Sequence, residues 1–176
     1  MSQEKNKISA LAIRAISQPG CYLLLLRVKK NLILQVGKLG RFYLKAGNYA
    51  YSGSARKGLG VRIGRYLSRE KNCFWHIDYL LAQPEVKIKK ILLFPGSLFP
   101  QADEHNLVKE ILARGGEMVI PGFGSSDCRE KCPAHLIKIS PSFMRTAPFN
   151  QAIELSPQEL KALLRSSTWE KEKMMI

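Results

Sequence analysis

Acidic residues are missing from a long stretch near the start of this chain. Between Lys5 and Arg69 there are fourteen Lys and Arg and no Asp or Glu. From Lys71 onward, fourteen basic residues face twelve acidic ones. The net charge of +14 therefore resides almost wholly in the first 69 residues. A one-signed positive field favours polyanions, and counterion release from a nucleic acid would supply affinity without sequence specificity. A solubility charge or an anionic-membrane patch is the alternative. The bases are interleaved with strand-like segments and not gathered in a tail, which favours nucleic acid, with no membrane partner.

Other absences narrow the reading further. No apolar run approaches the roughly 20 residues of a membrane span. The start, Met1 to Asn6, is polar and carries no signal-peptide pattern. Four cysteines in 176 residues do not make a disulfide framework, so a reducing, cytoplasmic setting is expected. No internal repeat is visible. The length suits one domain with a proper core, and a monomer is the default.

Turn residues and apolar periodicity give the expected elements. Ile8 to Ile16 reads as a short helix or ordered arm. Gly20 to Val28 and Leu32 to Val36 are β-rich runs joined by Lys29-Lys30-Asn31, which reads as a hairpin. Phe42 to Leu44 and Tyr49 to Gly53 are further strands. Ser54 to Gly60 is a basic loop leading into a helix from Leu59 to Arg69. Trp75 to Ala82 reads as helix and Val86 to Phe94 as strand. Ala102 or Asp103 caps a helix running to Arg114, which Gly115-Gly116 stops. His135 to Ile139 is expected as a short last strand. These elements make an α+β domain, a small, mainly antiparallel sheet of three or more strands flanked by helices. Residues 18–140 are taken as the domain, 1–17 as an arm and 141–176 as a helical appendage.

Two stretches carry the chemistry. Gly20-Cys21-Tyr22 and Tyr51-Ser52-Gly53 place a tyrosine beside a glycine on two strands, and Arg62 follows on a helix. Tyrosine can relay a proton or orient a water, and arginine can neutralise charge on a phosphoryl oxygen. On the expected helix Arg62, Arg65, Tyr66 and Arg69 fall at i, i+3, i+4 and i+7 and share one face, a basic stripe without an acid. Arg56 and Lys57 precede it and join the expected nucleic-acid surface. Cross-strand packing is the alternative fate of Tyr22 and Tyr51. Glu104 stands early in a helix, where the macrodipole alone would favour it.

These half-motifs resemble those of the GIY-YIG endonuclease superfamily. Trp75-His76-Ile77-Asp78-Tyr79-Leu80-Leu81 and Pro121-Gly122-Phe123-Gly124-Ser125-Ser126-Asp127-Cys128 look like its Uri-type branch. Glu104-His105-Asn106-Leu107-Val108-Lys109 is similar to the helix that carries the metal-binding glutamate in the excision-repair members. The resemblance implies a metal-dependent endonuclease acting on nucleic acid, DNA before RNA, in repair or processing alongside a DNA-repair partner. By the same resemblance Glu104 would hold magnesium or manganese and Arg62 would bind the scissile phosphate. Tyr22 would act as general base or position the water, Tyr51 would assist near the metal, and Tyr66 takes a place that holds tyrosine or histidine. Cysteine and serine replace the middle isoleucines of the half-motifs, and an extra hairpin-like segment separates them. The usual closing asparagine has no counterpart, leaving Ser126 or Asp127 at its place. A non-catalytic nucleic-acid-binding module on the same fold is the alternative.

A second constellation is Cys128, Cys132 and His135, with Cys73 and His76 upstream. Sulfur and imidazole could form a tetrahedral zinc site from Cys128, Cys132, His135 and His76. The irregular spacing places zinc behind the other expectation, that Asp127, Cys128, His135, His76 and Asp78 form a buried polar cluster or line the cleft.

Overall fold

The computed structural model describes residues 2–68, 73–126, 128, 130–140, 142 and 145–166, with residues 2–9 described in backbone only. The fold is α+β, as the sequence predicts. It follows from one strand, β1 (Gly20–Val28), which carries apolar side chains on both faces. Side chains alternate across a strand. Tyr22, Leu24, Leu26 and Val28 therefore enter one core, while Cys21, Leu23 and Leu25 enter a second. A strand buried on both sides needs a neighbour at each edge and a layer over each face.

The neighbours are β4 (Gly47–Ala55) and β5 (Val86–Pro95), both antiparallel to β1. With β6 (Glu117–Met118), β7 (Leu136–Ile139) and β8 (Ile153–Leu155) they form a six-stranded sheet in the order β6-β7-β4-β1-β5-β8. Every pairing in it is antiparallel. The first core takes side chains from α1 (Ser2–Ser17), α2 (Leu59–Tyr66), α3 (His76–Leu81) and α5 (Pro157–Leu164). The second takes Leu107, Val108 and Ile111 of α4 (Glu104–Ala113), together with Phe149.

The hairpin expected between Gly20–Val28 and Leu32–Val36 does not form. β2 (Leu32–Val36) pairs with β3 (Gly40–Leu44) in a separate two-stranded sheet inserted between β1 and β4. The physical reason lies in the side chains. β2 is one-sided, with Leu34 and Val36 buried and Ile33 and Gln35 exposed, so it suits a ribbon lying on the first core. Apolar pattern alone does not distinguish a local partner from one twenty residues away.

Residues 153–164 are part of this architecture. Ile153 to Leu155 extends the sheet alongside Leu93 to Ile91, and Leu155 and Leu160 lie in the first core. Ser156 caps α5, accepting from the Glu159 N–H, while the Glu159 carboxylate accepts from the Ser156 N–H. The strand at Leu136 to Ile139 is thus not the last. The expected tail from Trp169 to Ile176 lies outside the described residues.

A chain ending at Ser140 removes β8 and α5, and with them the strand partner of Leu93 and the Leu164 side chain packed against Gly64. Its urea unfolding midpoint is expected to fall markedly or its transition to lose cooperativity; an unchanged midpoint would make the segment a dispensable appendage.

Candidate active site

The site begins where β1 and β4 pass each other. Tyr22 stands opposite Gly53 and Leu24 opposite Tyr51, so both tyrosines project toward the first core. The Tyr22 ring runs directly under Gly53, where a Cβ would lie 2.4 Å from its hydroxyl oxygen. Glycine is required at 53 because the neighbouring strand's aromatic fills the space of a side chain.

A chain of hydroxyls leads outward from there. The Tyr22 and Tyr66 hydroxyls are 2.8 Å apart, and Arg62 Nε donates to the Tyr66 oxygen at 3.1 Å. The Arg62 guanidinium also stacks on Trp75, 4.6 Å from its ring centroid. Burial works to lower the Arg62 pKa, but the Tyr66 and Tyr22 oxygens outweigh it, and the net shift is upward. Arg62 is therefore a fixed cation aimed by two aromatic residues.

Glu104 arrives from the other face of the sheet. It is the first residue of α4, capped by the Asp103 carboxylate, which accepts the N–H groups of His105 at 2.9 Å and Asn106 at 2.7 Å. The Ser52 hydroxyl donates to the Glu104 carbonyl at 2.9 Å, tying this helix end to β4. The carboxylate is about a quarter exposed. Among the described residues its ionic neighbour is His105, whose Nε2 lies 3.9 Å away, and no Lys or Arg pairs with it.

Arg62, Glu104 and Ser54 line two adjoining hollows that form one cleft. Tyr51, Gly124 and Ser126 border one side, and Arg56, Lys57 and Arg65 border the other. The larger hollow, of about 640 Å³, is big enough for a nucleotide-sized group. Phe74, 76% exposed, stands at its rim beside Trp75.

The structure sorts the expected site residues. Arg62, Glu104 and Tyr51 meet in the cleft with Arg56 and Lys57. Tyr22 and Tyr66 are buried behind Arg62. The expected stripe on α2 is divided: Tyr66 faces inward, while Arg65 makes a bidentate pair with Asp78 at 3.0 and 3.1 Å. The Asp78 carboxylate also accepts the N–H groups of Phe74 and Trp75, so its role is to join α2 to the start of α3. The helix ends at Tyr66, and Arg69 and Asp127 lie outside the described residues.

The expected grouping of His76 with the cysteines is corrected. His76 Nδ1 accepts the Gly124 N–H at 2.9 Å, and its ring packs on Phe123. His105 takes its place: His105, Cys128, Cys132 and His135 bring one ligand atom each to within 4.8 Å of the others, a set that could hold a metal of the zinc type. His105 sits in the same helical turn as Glu104, far in sequence from the cysteines, so no spacing motif announces it. Of the five residues expected to cluster or to line the cleft, His76, Cys128 and His135 line it, Asp78 turns to Arg65, and Asp127 lies outside the described residues.

The chain belongs to a family. A family model described as "Domain of unknown function DUF123" matches residues 21–156, more than three quarters of the chain. No curated protein and no solved structure matches it. The match runs past Ser140 to Ser156 and so takes in β8. Among the described residues, no helix of this DUF123 chain is long and apolar enough to cross a membrane.

Two outcomes follow from the packing. Gly53→Ala forces Tyr22 or β4 to move and is expected to cost about 1–3 kcal/mol in urea unfolding, the range for overpacking a core; an unchanged midpoint would contradict the close pass described above. Burial, reinforced by neighbouring tyrosines, raises the pKa of Tyr22 and Tyr51, and burial pushes Tyr49 up to about 12. The unfolded chain loses these protons near pH 10 while the folded chain keeps them, so stability should be full below about pH 10 and fall above it. Tyr51→Phe should flatten that alkaline decline in unfolding measured across the range.

Proposed function

We propose that this DUF123 protein is a metal-dependent endonuclease of the Uri-type GIY-YIG kind, cutting one strand of DNA per active site. The observation that carries the reading is the meeting of Arg62 and Glu104, from helices on opposite faces of the sheet, in one cleft with Tyr51 at its wall. A cation and a carboxylate separated by an open, basic cleft suit a phosphodiester, whose charge must be neutralised as it is attacked. The basic first half of the chain and the likeness of its motifs to that superfamily support the same reading.

Magnesium or manganese fits the donor set, since such ions take one or two carboxylates and leave the rest of their shell to water and phosphate oxygens. Glu104, partly exposed and not paired with Lys or Arg, would hold the ion, which when bound supplies charge neutralisation at the phosphate. Arg62 binds the scissile phosphate with its fork fixed by Tyr66 and Trp75. Tyr51 lies at the cleft wall and orients the groups there. Arg56 and Lys57 take neighbouring phosphates, and the exposed Phe74 offers a face on which a base can stack.

The buried Tyr22 does not suit a general base. Burial first, then the Tyr66 and Tyr51 oxygens, push its pKa well up, so its phenol stays protonated at neutral pH. Its role is positioning: it holds Tyr66, which holds Arg62.

The test is incubation of supercoiled plasmid and a panel of branched DNAs with wild type, Arg62→Ala and Glu104→Gln, in magnesium, manganese or chelator. Metal-dependent nicking is expected from wild type, reduced about 100-fold or more in each variant, with DNA binding retained. Substantial cleavage by both variants would sink the site assignment. Binding without cleavage on any substrate would favour a non-catalytic nucleic-acid-binding module.

A further inference from the structure

Beside the cleft, and apart from the proposed magnesium position, lies the cluster of His105, Cys128, Cys132 and His135. We propose that these four side chains form a closed structural zinc site that fixes the wall of the cleft and, through His105, the position of Glu104.

The geometry comes first. Tetrahedral zinc, with bonds of about 2.3 Å to sulfur and 2.0–2.1 Å to nitrogen, sets sulfur and nitrogen roughly 3.6 Å apart. His105 Nδ1 is 3.2 Å from Cys128 Sγ and 3.5 Å from Cys132 Sγ, and all four ligand atoms lie within 4.8 Å of one another. Side-chain adjustments of roughly an ångström would close the set around one ion.

The chemistry selects the ion. Two sulfurs and two imidazoles form a soft, tetrahedral S2N2 set suited to zinc and not to magnesium or calcium. Two thiolates would balance a divalent charge, which suits a place where Cys132 and His135 are buried. The backbone N–H of Cys132 donates to Cys128 Sγ at 3.3 Å, a bond that a metal thiolate accepts well. Lys131, with φ at +51°, turns the chain so that both sulfurs face His105.

The ligands come from three separate parts of the fold. His105 is in the first turn of α4, Cys128 and Cys132 sit on the loop after Gly124, and His135 immediately precedes β7. His135 is itself anchored, its carbonyl accepting the Ser52 N–H at 3.0 Å and its N–H donating to Phe123 at 2.7 Å. With all four positions filled by protein, no place remains for an activated water, so the site is structural and not catalytic. Its link to the cleft is the other nitrogen of His105. When Nδ1 binds metal, Nε2 carries the proton and lies 3.9 Å from the Glu104 carboxylate, a short closure away from the hydrogen bond by which a carboxylate and a metal-bound imidazole orient each other. The effect on Glu104 rests on the nuclease reading; the zinc site does not.

The test uses the full chain, untagged, expressed in zinc-supplemented medium. Wild type should contain about one zinc per chain, and cobalt exchange should give the intense visible bands and sulfur charge-transfer absorption of a tetrahedral S2N2 centre. Cys128→Ser and Cys132→Ser should lose most of the zinc, as should His105→Ala, whereas Cys73→Ser and His76→Ala should keep it. If the serine variants do not fold, the wild-type zinc content and cobalt spectrum decide alone. The proposal is overturned by zinc-free wild type, by a weak octahedral cobalt spectrum, by zinc retained in the serine variants or by a Cys128–Cys132 disulfide in the purified chain. Zinc present without any DNA cleavage would reject the nuclease reading and keep the centre; cleavage by a zinc-free protein would do the reverse.

Discussion

The Tyr22 ring packed beneath Gly53 sets the terms for everything around it. It allows β1 and β4 to keep full antiparallel register across a position where a side chain would collide, and it brings a hydroxyl to 2.8 Å from Tyr66. Tyr66 then aims Arg62. A backbone pairing, an aromatic packing and a cation's orientation are one connected arrangement. Exchanging any member for a residue of different size would be felt at the arginine.

Several features were legible in the sequence because they depend on local chemistry. The apolar run Tyr22 to Leu26 announced a strand, and Ala102-Asp103 announced a helix start, which Asp103 caps. The tyrosine half-motifs, Arg62 and Glu104 were named as a set, and the fold brings Tyr51, Arg62 and Glu104 to one cleft. What stayed hidden depends on which distant segments meet. Nothing in Lys29-Lys30-Asn31 tells that β1 pairs with β4 and leaves β2 to β3. The three-residue strand β8 is too short to carry a period, and only the uncovered edge of β5 calls for it.

The charged residues on α2 show the same limit. Helical periodicity placed Arg65 and Tyr66 near Arg62, but it could not tell which would find an internal partner. Asp78, thirteen residues after Arg65, takes its guanidinium in a pair whose carboxylate is only 4% exposed. Both arginines border the cleft, but Arg62 is held there by aromatic residues and Arg65 by a buried carboxylate. His105 is the reverse case, a histidine without a motif that tertiary contact makes the neighbour of two cysteines.

Arg62 and Glu104 hang from helices on opposite faces of the same sheet, so the sheet acts as a gauge block between them. Their separation is set by how closely each helix beds down, α2 on Ile63 and Leu59 and α4 on Leu107 and Ile111. A methylene gained or lost in either core, away from the cleft itself, would therefore change its jaw width. Tolerance for substitution at these apolar positions should track the calibre of what enters the cleft as well as the stability of the fold.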